Sequence, residues 1–426
     1  MTLALFLAVL IGSILLGLPV AFALLLSAIA LMLHLDLFSA DILAQALING
    51  VDSFPLLAIP FFLVAGEVMS VGGLSARIVR LAISLVGHRQ GGLGYVAIFT
   101  AVILAGLSGS AVADAAALVS ILYPMMREAG YPRAHSVGLL AAGGIIAPVI
   151  PPSLPLIIMG VAGNISIAKL FIGGIVPGLM MGLALVLTWS VLIRKTPLDL
   201  APRADRRERM TALREGVWAL MLPVIIIGGI RFGVFTPTEA AVVAAVYAIV
   251  ISTLVYREMT WAKMYHVLVV SSRSTAMVMF LVGGAMVAAW LITVAQLPQQ
   301  LAGLLEPFID SPRLLMAIIM VLVLLVGMVM DLVPTVLILV PLLMPLVKLA
   351  GIDPVYFGLM FIINTCIGLI TPPVGNVLNV VCGVGRVPMS EAVRGVLPFV
   401  AVYILLLALF VIFPSIIIVP MNFLIG

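Results

Sequence analysis

Residues 91–126 read GGLGYVAIFTAVILAGLSGSAVADAAALVSILYPMM, and the charges on either side of them decide how the chain folds. Arg77, Arg80 and Arg89 stand before the stretch; Arg127 and Arg133 stand after it, against one acid, Glu128. Cytoplasmic loops of membrane proteins carry the excess of Lys and Arg, so both flanks belong on that side. An apolar stretch with both ends on one side must enter the membrane and turn back. The turn is expected at Gly106, Leu107, Ser108, Gly109 and Ser110, where glycines free the backbone from helical φ/ψ and hydroxyls offer ligand oxygens. Broken backbone at mid-membrane is tolerated only where it lines a polar cavity or holds a ligand.

Composition requires the membrane. Of 426 residues 64% are hydrophobic and 9% charged, which leaves too many apolar side chains for one water-excluding core. Apolar runs of about 17–20 residues recur, enough for helices rising roughly 1.5 Å per residue to cross a hydrocarbon layer about 30 Å thick. Continuous blocks such as residues 314–329 speak against a β-barrel, whose strands would alternate. The net charge of +4 is spread over loops and gives no reason for nucleic acid as a partner. Cys366 and Cys382 both lie in apolar stretches and indicate neither a disulfide framework nor a metal centre. The N-terminus lacks a positive segment ahead of its apolar run and reads as a span, not a cleaved signal peptide.

The chain repeats itself. A shift of 221 positions superimposes Pro124 on Pro345, Gly106 on Gly327, Gly130 on Gly351, Pro151 and Pro152 on Pro372 and Pro373, and Pro177 on Pro398. The flanks of the second copy hold Arg313 and Lys348 against Glu306, Asp310 and Asp353, no positive excess, and are placed outside. The repeat is therefore inverted. The polar loop 194–215 contains Arg194, Lys195, Arg203, Arg206, Arg207, Arg209 and Arg214 and is cytoplasmic, and nothing after Arg394 is charged, which suits an external C-terminus. The expected fold is an all-α integral membrane protein with a first repeat at 1–193, a basic loop at 194–215 and a second repeat at 216–426. Paired spans 1–17 and 19–35 mirror 217–233 and 238–255.

Each repeat carries a re-entrant hairpin, 91–126 and 314–347, and a broken helix, 135–163 and 355–385. In the first broken helix Pro148, Pro151 and Pro152 open the backbone and leave carbonyls free to coordinate a cation, while half-helix N-termini suit an anion. The second repeats the device, with a hairpin tip at 327–331 and a break at 370–375. Asp114 and Asp331 are the acids deepest in these segments, and an ionisable group there is costly unless paired or functional. Each reads either as an ion ligand or as a helix cap. Ser108 and Ser110 read as ligands or as bonded to their own backbone. Asn364 and Thr365 precede the second break, at positions matching Gly143 and Gly144. Glu67 and Arg273 read as pairing or partner-facing groups, or as snorkelling span-end residues.

The stretches IPFFLVAGEVMSVGGL (59–74), GLSGSAVADAAAL (106–118), IIAPVIPPS (145–153), LFIGGIVPGL (170–179), FGVFTPTEAA (232–241) and GLITPPVG (368–375) resemble the large membrane subunit, the DctM type, of tripartite ATP-independent periplasmic (TRAP) transporters. They run across nearly the full chain in family order. The resemblance implies a sodium-driven importer of the bacterial inner membrane with an elevator mechanism, a periplasmic solute-binding protein and a small four-helix membrane subunit. It places co-transported sodium at Ser108, Ser110 and Asp114 with Pro148 and the first break, and at Asp331, Asn364, Thr371 and Gly375 around the second. Ser153, Asn376 and Asn379 are candidate substrate contacts. The stretch TPPVGNVLNVVCG (371–383) departs from the dicarboxylate pattern and is similar to the sugar-acid (2,3-diketo-L-gulonate) branch, which favours a small organic acid anion.

Other classes compete. Gly106 to Gly109 reads as GxSG and Ala134 to Gly138 as AHxxG, both found in rhomboid-like intramembrane serine proteases, but a dyad needs Ser108 and His135 within hydrogen-bond reach. His135 follows cytoplasmic Arg133, and its repeat counterpart is Tyr356. A stand-alone divalent-anion symporter would lack the binding protein, and only the family motifs separate it. No phosphate loop supports an ATP-driven pump, and crossed hairpins fit alternating access better than a passive channel.

Overall fold

The structure, a computed structural model, describes residues 2–194, 196–198 and 203–425, with the backbone alone at 3, 107, 108, 301, 302 and 304–306. Lys195 and the side chains of Ser108 and Glu306 thus lie outside the described residues. Helix α1 (Thr2–Leu15) turns into α2 (Val20–His34); α3 (Ala40–Val51) and a 3-10 turn (Phe54–Leu57) lead to α4 (Ala58–Val71) and α5 (Leu74–Val86). Next come α6 (Gly92–Ser108), α7 (Ala111–Glu128), α8 (Arg133–Gly144), α9 (Leu154–Gly163) and α10 (Ile167–Ile193). The second half holds α11 (Arg206–Arg231), α12 (Pro237–Val250), α13 (Trp261–Val294), α14 (Leu297–Ile309), α15 (Pro312–Gly327) and α16 (Leu332–Leu349). It ends with α17 (Pro354–Leu369), α18 (Asn376–Gly385), α19 (Met389–Ile412) and α20 (Ser415–Ile425).

Seven helices among the described residues are long and apolar enough to cross a membrane, the longest being the 34-residue α13. At roughly 1.5 Å per residue α13 measures about 50 Å and must project beyond the hydrocarbon layer. It packs on α2, α3 and α4, and α4 packs on α12. Small residues set these crossings: a Cβ on Gly284 would sit 3.0 Å from the Ala21 carbonyl, and one on Gly283 3.2 Å from Val51. In a second group α8 packs on α7 and α19 and α17 on α15 and α16, and every residue of α17 from Val355 to Leu369 is buried. A helix apolar all round has no lipid or water face, so α17 is central to the molecule.

Two features depart from the sequence expectation. The polar loop was expected to run to residue 215, yet α11 begins at Arg206. Asp205 caps it: its carboxylate accepts from the Arg206 N–H at 2.6 Å, and Glu208 accepts from the Asp205 N–H at 2.9 Å. This capping box turns a charge-rich segment into the first turns of a helix. The second concerns α5 and α14, on which the sequence reading made no assignment; each has 13 residues, too short to span. Helix α5 buries Leu74, Ile78, Val79, Leu81 and Ala82 on one face and directs Arg77 and Arg80 to Glu258 and Glu215 at 2.7 and 3.3 Å.

Candidate functional site

Helices α6 and α7 pack together across only Gly109 and Ser110. Gly109 has φ 64°, the left-handed region that a Cβ disfavours, and it reverses the chain. Ser110 then caps α7, its hydroxyl accepting from the Ala113 N–H at 3.3 Å. Asp114 follows in the first turn, buried, where the N-terminal end of the helix dipole favours a carboxylate. The turn rests on the break between α8 and α9: a Cβ on Gly109 would lie 3.0 Å from Cα of Ser153 and 3.2 Å from the Pro152 carbonyl. Larger residues at this tip would push the two elements apart.

Within that break the expectation of free carbonyls is corrected at one position. The Pro148 carbonyl would be paired by residues 151 and 152 in a helix, but both are prolines and have no N–H. Ser153 fills the gap: its hydroxyl donates to Pro148 O at 2.6 Å and accepts from the Leu156 N–H at 3.5 Å, so it also caps α9. The Ser153 hydroxyl is committed to the backbone.

The second half has the same parts with one group missing. Helix α15 ends at Gly327, and Asp331 caps α16 by accepting from the Leu332 N–H at 2.9 Å, while Thr335 donates to the Asp331 carbonyl at 2.7 Å. Asp331 is exposed, so capping leaves carboxylate oxygen accessible. The break between α17 and α18 touches this tip directly, Gly375 N–H donating to Met328 O at 3.2 Å. Gly375 itself has φ 54°. Thr371 donates to Ile367 O at 2.7 Å, and Asn379 reaches back to Val374 O at 3.1 Å. Asn376 is the first residue of α18.

Leu369 is the position matching Pro148, and its carbonyl faces the same loss, since residues 372 and 373 are prolines. Here the residue matching Ser153 is Val374, which has no hydroxyl to offer. Earlier in α17 Asn364, fully buried, donates from Nδ2 to Met320 O at 2.5 Å, and its Oδ1 is buried with no hydrogen-bond partner among the described residues. A buried amide oxygen without a donor costs on the order of 1–3 kcal/mol, and a cation removes that cost. Thr365, its neighbour, donates to Phe361 O at 2.8 Å and is occupied.

The two halves interlock. Helix α18 packs on α7, and α16 on α9, so each tip helix is covered by the second part of the other broken helix. The structure thus brings Ser110, Asp114, Pro148 and Ser153 to one tip-and-break pair, and Asp331, Asn364, Thr371, Gly375, Asn376 and Asn379 to the other. His135 lies in the first turn of α8, whereas Ser108 ends α6 at the turn, about 27 Å away along α7. Glu67 and Arg273 form no ion pair among the described residues. The Leu369 carbonyl escaped the sequence reading, although the missing hydroxyl at Val374 was there to be seen.

Comparison with known proteins gives the family. The sequence profile of "Tripartite ATP-independent periplasmic transporter, DctM component" matches residues 7–416. The chain is 58% identical over 422 residues to the 2,3-diketo-L-gulonate TRAP transporter large permease protein of Escherichia coli, covering 99% of each. It is 55% identical, again covering 99% of each, to a putative TRAP transporter large permease protein of Haemophilus influenzae. Its fold is similar to that of the YdaH transporter of Alcanivorax borkumensis, with TM-score 0.65 over 88% of this chain and 89% of that one, at 16% identity. By sequence over nearly its whole length, the chain belongs to the DctM family of TRAP transporters, as a multi-pass membrane permease and not an enzyme.

Proposed function

We propose that the chain imports a small organic acid anion across the bacterial inner membrane, coupled to sodium, as the large subunit of a tripartite system with a periplasmic binding protein and a small four-helix membrane subunit. The observation that carries the coupling is the second tip and break: a buried Asn364 Oδ1 without a partner among the described residues, in the same helix as a Leu369 carbonyl that the prolines at 372 and 373 cannot bond. Oxygens of this kind, an amide and a carbonyl, suit a hard cation. Asp331, Thr371 and Gly375 complete that sodium site; Ser108, Ser110 and Asp114 form its counterpart at the first tip, where the Pro148 carbonyl is already held by Ser153. Asn376 and Asn379 stand at the N-terminus of α18, where an anion would be met, while Ser153 serves the matching end of α9 as its backbone cap.

The two halves are read as an inverted repeat, 1–193 and 216–426 around the basic segment 194–215, with α6–α7 and α15–α16 as re-entrant hairpins. Support comes from the packing: under the 221-position shift the α7–α18 contact becomes α16–α9, and α4–α12 finds its counterpart in α2–α13. In an elevator the tips and breaks would move as one body against α1, α2, α4 and α11–α13. The identity to the relative named for 2,3-diketo-L-gulonate supports a sugar acid as substrate.

The test is uptake of a labelled sugar acid into proteoliposomes holding this chain and its small partner. Uptake that needs both a sodium gradient and the binding protein is expected. Uptake with sodium alone would make the chain a stand-alone symporter, and uptake indifferent to sodium would overturn the coupling.

A further inference from the structure

A cavity of about 630 Å³ opens where the C-terminal ends of α7 and α18 meet the starts of α8 and α19, away from both tips. Val119, Ser120, Tyr123 and Arg127 line it as one stripe of α7, about 12 Å long. Arg127, Arg133 and Arg386 contribute three positive charges against Glu128 and Glu391. None of these arginines forms an ion pair among the described residues, where the pairs are Arg77–Glu258 and Arg80–Glu215. All three line the cavity.

Arg386 is the informative member. It is the C-cap of α18, with φ 51°, a left-handed conformation that suits Gly or Asn and strains a residue with a long side chain. The C-cap of α9 is Asn164, with φ 50°. The helix end is closed by backbone, Val387 N–H to Cys382 O at 3.1 Å, so the cap does not need a guanidinium. A long cation held in strained backbone at a cavity mouth points to a role for its charge.

We propose that this cavity is a cytoplasmic release station for a small carboxylate anion, in which Arg127, Arg133 and Arg386 draw the anion out of the membrane-centred site. The direction of traffic rests on the import reading above. Low-dielectric walls focus the field of the arginines, while Glu128 and Glu391 keep binding weak enough for the anion to leave. Arg127 and Arg386 come from different halves, so the station exists only while α7 and α18 are packed together. An anionic lipid headgroup has the same chemistry and is separated by experiment.

Ser120→Cys in a Cys382→Ala background supplies a reporter thiol inside the cavity. The full chain in phosphatidylcholine vesicles is labelled from the cytoplasmic side with a sulfonate or a trimethylammonium methanethiosulfonate. The anionic reagent is expected to react about tenfold faster than the cationic one, and millimolar gluconate to slow labelling. The preference should vanish in Arg127→Gln combined with Arg386→Gly, glycine being at ease at positive φ; Arg386→Asn alone, which also tolerates that backbone, should reduce it. Equal rates for the two reagents would overturn the proposal, as would protection that appears only with phosphatidylglycerol and never with gluconate. Labelling is read without transport, so lost uptake with an intact charge preference counts against the import reading alone.

Discussion

At the scale of single residues, each candidate position is a backbone problem before it is a ligand. Gly109→Ala adds a Cβ where φ is 64° and the Ser153 Cα would be 3.0 Å away, and should cost on the order of 1–2 kcal/mol; thermal unfolding in detergent would show it. Ser153→Ala strips the hydroxyl partner from Pro148 O and should cost about 1–3 kcal/mol. Val374→Ser, which supplies the hydroxyl that the Leu369 carbonyl lacks, should instead weaken sodium dependence without loss of stability; unchanged sodium affinity would contradict that assignment. The sequence could not separate cap from ligand at Ser110 and Asp331, because the oxygen that caps a helix is the one that would hold an ion. Both are caps here.

At the scale of elements, the breaks were legible because Pro and Gly act locally. The second break was expected at 370–375, and α17 and α18 end and begin at its edges. The sequence reading made no assignment at the amphipathic helices α5 and α14, whose 13 residues fall below the length by which spans are recognised. The start of α11 was missed because seven basic residues outweighed the capping box at Asp205 and Glu208. Helix α5 is held at Arg77, which reaches Glu258 at 2.7 Å and the Gly73 carbonyl at 2.9 Å and lies 3.7 Å over the Tyr256 ring. Arg77→Ala should cost about 1.5–3 kcal/mol. Burial pushes the Tyr256 phenol up to about 12, against some lowering by Arg77. The folded state therefore disfavours the phenolate, and stability should fall as pH rises from 10 towards 12. Melting curves across that range should flatten in Tyr256→Phe.

At the scale of the whole molecule, the shift of 221 positions and the asymmetry of arginine are what lead from the sequence to the proposed inverted two-fold plan. The interlocking of α7 with α18 and of α16 with α9 was not readable, since no local pattern records which helices meet. The inverted plan makes a sidedness prediction at equivalent helix ends. Asn164→Cys, after α9, should label only from outside, and Arg386→Cys, after α18, only from the cytoplasm. Labelling of both from one side would contradict the inversion.

The central claim is that the second tip and break hold sodium. The most direct measurement is the melting temperature of the purified protein titrated with sodium against potassium, in wild type and in Asn364→Leu. Sodium at about 100 times its Kd should stabilise wild type by roughly 2.7 kcal/mol, while Asn364→Leu, similar in volume and free of the unpaired oxygen, should fold well and lose much of that gain. An undiminished sodium shift in Asn364→Leu, or equal shifts by both ions in wild type, would contradict the account.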